Sequence, residues 1–170
     1  GTEVLDLNGA TVIPGLKESH GHFVGIGLAR MSLNLVGTKS WDEVVAKVAE
    51  AVKTRPKGSW IVGRGWHEGK WEKNPARLVR GFPPHDALTA VSPDNPVYLE
   101  RADGHAGFAN AAAMALMKIG PTTKAPSGGD IIRDEQGAAT GVFVDTAQRL
   151  IQPPPSTEVD IREAIRLATE

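Results

Sequence analysis

Two of the five histidines in this 170-residue chain stand one residue apart in "VIPGLKESHGHF", residues 12–23. Imidazole carries protons near neutral pH and is a strong ligand for borderline divalent cations. In an extended segment alternate side chains share a face, so His20 and His22 would point the same way with Cα atoms about 6.6 Å apart. Two rings so placed can converge on one cation, with Zn–N bonds of about 2.0–2.1 Å. Leu16 and Glu18 would share that face, and Gly21 leaves room for close packing on the other. Spacing alone leaves a second reading open, in which two surface imidazoles sit in a loop.

The remaining composition limits what this pair can belong to. The chain contains no cysteine, so disulfides and thiolate sites are excluded and His, Asp and Glu are the available ligands. The same absence fits a reducing, cytoplasmic setting. A net charge of −1 gives no basic surface for nucleic acid or anionic lipid. No apolar run approaches the roughly 20 residues that cross a bilayer. Glycine (19) and proline (12) together exceed their usual share of about 12% and cluster between periodic segments, which predicts long ordered loops. The chain opens "GTEVLDLNG" with no initiator Met and no signal-peptide pattern, and it reads as starting in mid-strand and stopping in mid-helix.

The elements that must position such residues are partly legible. "EVLDLNGATVIPG" alternates around Asn8-Gly9, a hairpin signal, and "LKESHGHF" reads as a further strand. "GTKSWDEVVAKVAEAVKTRP" is a helix with Ser40 and Glu43 as a capping box and Val44, Val45, Val48 and Val52 as its apolar stripe. "SWIVGRGW" is a strand, and the proline-rich stretch to Pro96 is loop. "PVYLERADGHAGF" starts as a strand and runs into a helix from about Asn110 to Ile119. "GGDIIRDEQGAATGVFVD" is a hairpin turning at residues 135–137. After the stiff "PPPS", the last helix carries Ile161, Ala164, Ile165 and Ala168 on one face. Alternating strands and helices predict an α/β fold, with loops of about 20 residues, longer than compact domains carry without a purpose.

"LDLNGATVIPGLKESHGH" resembles the amidohydrolase superfamily at the passage from its small β domain into the first strand of its (β/α)8 barrel, where an apolar strand and Pro-Gly precede H-x-H. "WIVGRGWHEGKW", "VSPDNPVYLERADGHAGFANAAAM" and "GGDIIRDEQGAATGVFVD" are similar to the long insertion after that strand in amidohydrolase family 3, a group that includes enzymes acting on N-substituted amides. The resemblance covers nearly the whole chain. It implies a partial metallo-dependent hydrolase barrel: the edge of a small β domain over 1–15, the first barrel strand and following loop over 16–36, an insertion or lid over 37–152, and over 153–170 a helix leading to the second barrel strand. It further implies that His20 and His22 bind one or two divalent ions, zinc first, to activate water for attack on a C–N bond. The substrate would be a small amide-like molecule, and a homo-oligomer is open.

Further residues follow from the same resemblance. Asp103-Gly104-His105 matches the family's Asp-Gly-His in the insertion, so His105 could touch substrate or water, or could simply cap a helix from a turn. Asp145 falls where relatives carry an acidic residue and could contact the metal region or cap the next segment. Arg101 would anchor that loop through Asp103. Trp60, Trp66 and Trp71, around His67 and Glu68, could shape a pocket but more often pack a loop. His85 reads as loop surface. Two departures stand out: Glu18 replaces the family's usual Asp, and Lys17 occupies a position where the family has an apolar, covered residue. The family's later histidines and late aspartate are not in these 170 residues. The chain is therefore expected to be an inactive N-terminal portion that needs the rest of the barrel. The rival reading is a non-catalytic α/β binding or assembly module in which H-x-H is incidental.

Overall fold

The computed structural model describes residues 1–15, 17 and 20–170. They form a mixed α/β unit around one six-stranded sheet. The elements run α1 (Phe23–Met31), β1 (Leu33–Asn34), α2 (Trp41–Thr54), β2 (Ile61–Trp66), α3 (Asp86–Val91), β3 (Val97–Arg101), β4 (Ala106–Ala109), α4 (Ala111–Leu116), β5 (Gly129–Arg133), β6 (Ala139–Asp145) and α5 (Glu158–Ala168). The sheet order is β1-β2-β3-β4-β6-β5. β1, β2 and β3 are parallel, and every pairing beyond β3 is antiparallel.

Local chemistry explains the helices that the sequence predicts. The Ser40 hydroxyl accepts from Glu43 N–H at 3.1 Å, while the Glu43 carboxylate reaches one residue further back, to Lys39 N–H at 2.8 Å. The α2 stripe faces the sheet, with Val44 and Val48 fully buried and Val45 and Val52 at its margin. At α5 a complete capping box forms: Thr157 Oγ1 accepts from Asp160 N–H, and Asp160 Oδ2 accepts from Thr157 N–H. Ala164 is buried on its inner face, whereas Ile165 stays 42% exposed.

The larger core is aromatic. Phe108 of β4 stacks on Trp41 with centroids 4.5 Å apart and meets Trp66 edge-on at 5.2 Å. Trp66 Nε1 donates to Leu99 O at 2.8 Å, which satisfies a fully buried donor. A second cluster of Ala109, Met114, Ile131 and Phe143 lies toward β5.

Several expectations are corrected. Asn8 and Gly9 do turn, with φ of 49° and 82° and Ala10 N–H donating to Leu7 O at 2.9 Å. No strand flanks that turn among the described residues, and residues 1–15 are exposed. Of the strand expected over 16–23, Leu16, Glu18 and Ser19 lie outside the described residues. Residues 20–22 are in no strand, and Phe23 already begins α1. That helix has no side-chain cap; tertiary contact holds it, since a Cβ on Gly27 would overlap Ala164 O of α5 and Arg30 Nη1 bonds Leu167 O. Lys17 is exposed, so its charge stays in water. The stretch read as loop holds α3. His85, read as loop surface, is half-buried at the start of α3: its N–H donates to Thr140 O at 2.9 Å, and its Nδ1 lies 2.9 Å from Thr89 Oγ1. Between β3 and α4 the chain reverses and adds β4.

Asn110 fixes that addition. Its buried side chain accepts from Val97 N–H (3.0 Å) and Ala113 N–H (2.9 Å), and donates to Ser92 O and Asn95 O. One amide thus caps α4 and joins it to the start of β3 and the loop after α3. Asn110→Ala strands several buried groups and should lower unfolding free energy by about 2–4 kcal/mol, read by urea denaturation.

Candidate active site

The strand directions decide where chemistry collects. β1, β2 and β3 all end at one edge of the sheet, the edge where open α/β sheets place ligands. β4 runs antiparallel to β3, so it begins there, just after His105. β6 runs antiparallel to β4, with Val144 opposite Ala106, so it ends there at Asp145. His67, Glu68, Arg101, Asp103, His105 and Asp145 therefore share one edge, although they come from three strand ends and a reversal.

Their contacts form a chain. Arg101 presents Nε and Nη2 to the two carboxylate oxygens of Asp103, each at 2.8 Å, and Nη1 to Glu68 Oε1 at 2.7 Å. Burial opposes the charge on Arg101, but the two carboxylates outweigh it and hold the guanidinium more firmly protonated than usual. The Arg101 hydrogen bonds in turn hold the Asp103 carboxyl below its ordinary range. Asp103 Oδ1 also accepts from His105 N–H at 3.0 Å. His105 Nδ1 lies 2.8 Å from Asp145 Oδ1, and Asp145 N–H donates to His105 O at 2.9 Å. The second oxygen of Glu68 is buried without a hydrogen-bond partner among the described residues, 3.8 Å from His67 Nδ1. The anchoring of the loop by Arg101 through Asp103 is as the sequence predicts.

His20 and His22 form a second pair. Their ring centroids are 5.2 Å apart and the rings stand edge-on at 76°. The separation comes from the turn into α1, whose first carbonyl, His22 O, accepts from Ile26 N–H at 3.0 Å, and not from a strand. With Zn–N bonds of about 2.0–2.1 Å, rings 5.2 Å apart are within reach of one shared ion. The pair fits half a site in donor type and spacing. Among the described residues no three His, Asp or Glu side chains converge as a metal cage.

Trp66 and Trp71 are core residues, and half-buried Trp60 packs on the second cluster while also lining an open cleft beside α1. Sequence reading missed Gln148. Its Nε2 donates to Gly104 O (2.8 Å) and Asp145 O (3.3 Å), and its Oε1 accepts from the hydroxyl of half-buried Tyr98. A glutamine in a short turn after a strand carries no signal of that kind. An open cleft of about 620 Å³ lies between α1 and the ends of β1 and β2, lined by Ile26, Arg30, Asn34, Val36 and Arg64, and it holds none of the four candidate side chains.

The profile of the amidohydrolase family matches residues 3–170. The chain belongs to the amidohydrolase family. Among this amidohydrolase's relatives, YtcJ of Bacillus subtilis (strain 168) is 37% identical over 169 residues, 98% of this chain and 31% of YtcJ. The N-substituted formamide deformylase of Arthrobacter pascens is 35% identical over 153 residues, 88% of this chain and 27% of that enzyme. A solved metal-dependent hydrolase of Pyrococcus furiosus shares the fold with a TM-score of 0.54 at 24% identity, over 88% of this chain and 27% of that one. The chain thus spans less than a third of the length of these relatives.

Arg101→Ala removes the counter-charge from Glu68, whose side chain is 21% exposed, and should cost about 2–3 kcal/mol at pH 7. Arg101→Lys keeps the charge without the planar fork and should fall between. The folded Asp103 value is depressed, so its contribution is present above the ordinary carboxylate pKa of about 3.9 and lost as pH falls through the lower folded value. Urea denaturation from pH 7 to pH 3 should show a smaller acid loss in Arg101→Ala than in the parent.

Proposed function

We propose that this amidohydrolase chain is an N-terminal portion of a metal-dependent hydrolase that cleaves non-peptide carbon–nitrogen bonds in small amide-type molecules. The observation that carries the reading is the His20–His22 pair, two imidazoles at the spacing of a shared ion, inside a segment matched by the family profile. The deformylase relative, named for N-substituted formamides, supports the bond type. In this reading residues 1–36 carry the H-x-H segment and α1 at the entry to a (β/α)8 barrel. Residues 37–152 form the insertion, and residues 153–170 lead to the second barrel strand. A barrel takes about 200 residues or more, so further protein completes the donor set and supplies the general base.

His20 and His22 would hold the ion, zinc first by the chemistry of two neutral imidazole donors. When bound, such an ion supplies Lewis-acid activation of water for attack on the amide carbon. The backbone of His22 is tied to α1, with Ile26 N–H donating to His22 O at 3.0 Å. The sheet unit contributes a rigid wall whose carboxyl edge carries the polar groups that can face a small substrate.

Calorimetry with zinc checks the metal half of the reading. One equivalent should titrate onto the chain, with affinity at least tenfold weaker in His20→Ala and His22→Ala; undiminished binding in both variants overturns it and favours the non-catalytic module. The 170-residue chain with excess zinc should hydrolyse no N-formyl or N-acyl amine above the buffer rate. Turnover abolished by His20→Ala would refute the claim that further protein is needed.

A further inference from the structure

We propose that His105, its tautomer set by Asp145, is a substrate-contacting hydrogen-bond acceptor for the N–H of a secondary amide, an assignment that rests on the hydrolase reading above. A carboxylate can only accept, so the 2.8 Å contact with Asp145 Oδ1 puts a proton on His105 Nδ1, and in the neutral imidazole the lone pair is then on Nε2. The His105 side chain is 69% exposed, and among the described residues its ring has no hydrogen-bond partner besides Asp145. The result is an oriented acceptor presented to solvent at the edge where ligands of such sheets bind.

Backbone geometry separates this pair from an ordinary surface ion pair. Asp145 has φ 48° and ψ −123°, a conformation that a β-carbon resists and glycine adopts freely. Such strain persists only where the surroundings over-determine it, and it gathers at functional sites. Here the surroundings are explicit: Asp145 N–H is bonded to His105 O, and Gln148 Nε2 spans Asp145 O and Gly104 O. On the other side Asp103, clamped by Arg101, holds His105 N–H. An exposed ion pair stabilises a fold too little to account for a strained residue and two clamps. A carboxylate kept where glycine would rest more easily points to what the carboxylate does for the imidazole.

An acceptor at Nε2 selects for a donor. A secondary amide has one N–H beside its carbonyl carbon; a tertiary amide has none and would leave the imidazole facing a carbon. The pair therefore favours N-monosubstituted amides over N,N-disubstituted ones of similar size.

The test uses the full-length zinc-loaded protein with an N-monosubstituted formamide and its N-methylated counterpart. His105→Ala and His105→Gln should lower kcat/KM for the N–H substrate at least tenfold more than for the N-methylated one, so that discrimination collapses. Unchanged discrimination in an active protein overturns the proposal, whereas a parent that turns over neither formamide overturns the hydrolase reading beneath it. Independently of activity, two-bond ¹⁵N–¹H spectra of histidine-labelled chain should show His105 as the Nδ1–H tautomer. They should show a shift toward Nε2–H in Asp145→Gly, whose Tm equals or exceeds the parent's. An Nε2–H tautomer in the parent, or a Tm several degrees lower in Asp145→Gly, overturns the assignment.

Discussion

The Arg101 guanidinium holds the working edge of this domain in place. Three of its nitrogens are spent on two carboxylates, one from the segment after β2 and one from the turn after β3. The planar fork suits that task, because a bidentate contact fixes direction as well as distance. The turn it fixes, Ala102–His105 with Gly104 at φ 77°, is where the sheet changes from parallel to antiparallel. A slip of one residue there would swap the faces of β4 and move Phe108 away from Trp41 and Trp66. Core and site thus share a determinant: the same turn aims Phe108 inward and His105 outward along the edge.

The elements that can be read from sequence are those whose signals are local. α2 carries its cap and its valine stripe within about 14 residues, the β5–β6 hairpin carries its turn, and α5 its capping box. Those that escape are fixed by partners far away. β4 is Ala-Gly-Phe-Ala with all four residues buried, so it has no alternation and no strong strand former except Phe108; pairing on both sides makes it a strand. α3 is six residues with no side-chain cap, seated by Leu88 and by the bond from His85 to Thr140. α1 is apolar and glycine-bearing, a pattern that suits a strand equally well until α5 is placed against Gly27.

The site divides in the same way. His20 and His22 are legible as a pair because they are neighbours, and their rings do adjoin, though through a turn and not through the strand that motivated the reading. His105 and Asp145 each stand out by resemblance, but their contact across 40 residues depends on the β4–β6 register. Glu68 and Gln148 illustrate what composition cannot show: a carboxylate and an amide become second partners of the site only because β2 ends beside β3 and a short turn follows β6.

These two pairs are built to different degrees, and the difference has a physical meaning. His105 and Asp145 are over-determined, with bonds to both backbones and strain held in place by Gln148. His20 and His22 are exposed and stand ahead of the packed sheet, beyond α1. Two exposed imidazoles would give an ion only two protein donors, whereas a catalytic zinc site takes three in a shaped surrounding. A rigid polar edge can be finished within one small domain, since strand register alone places its groups. A metal centre needs donors converging from several directions, which one short segment cannot provide. On the proposed reading, the H-x-H segment is the part of this chain whose chemistry depends most on protein packed around it, and the sheet edge the part that depends on it least.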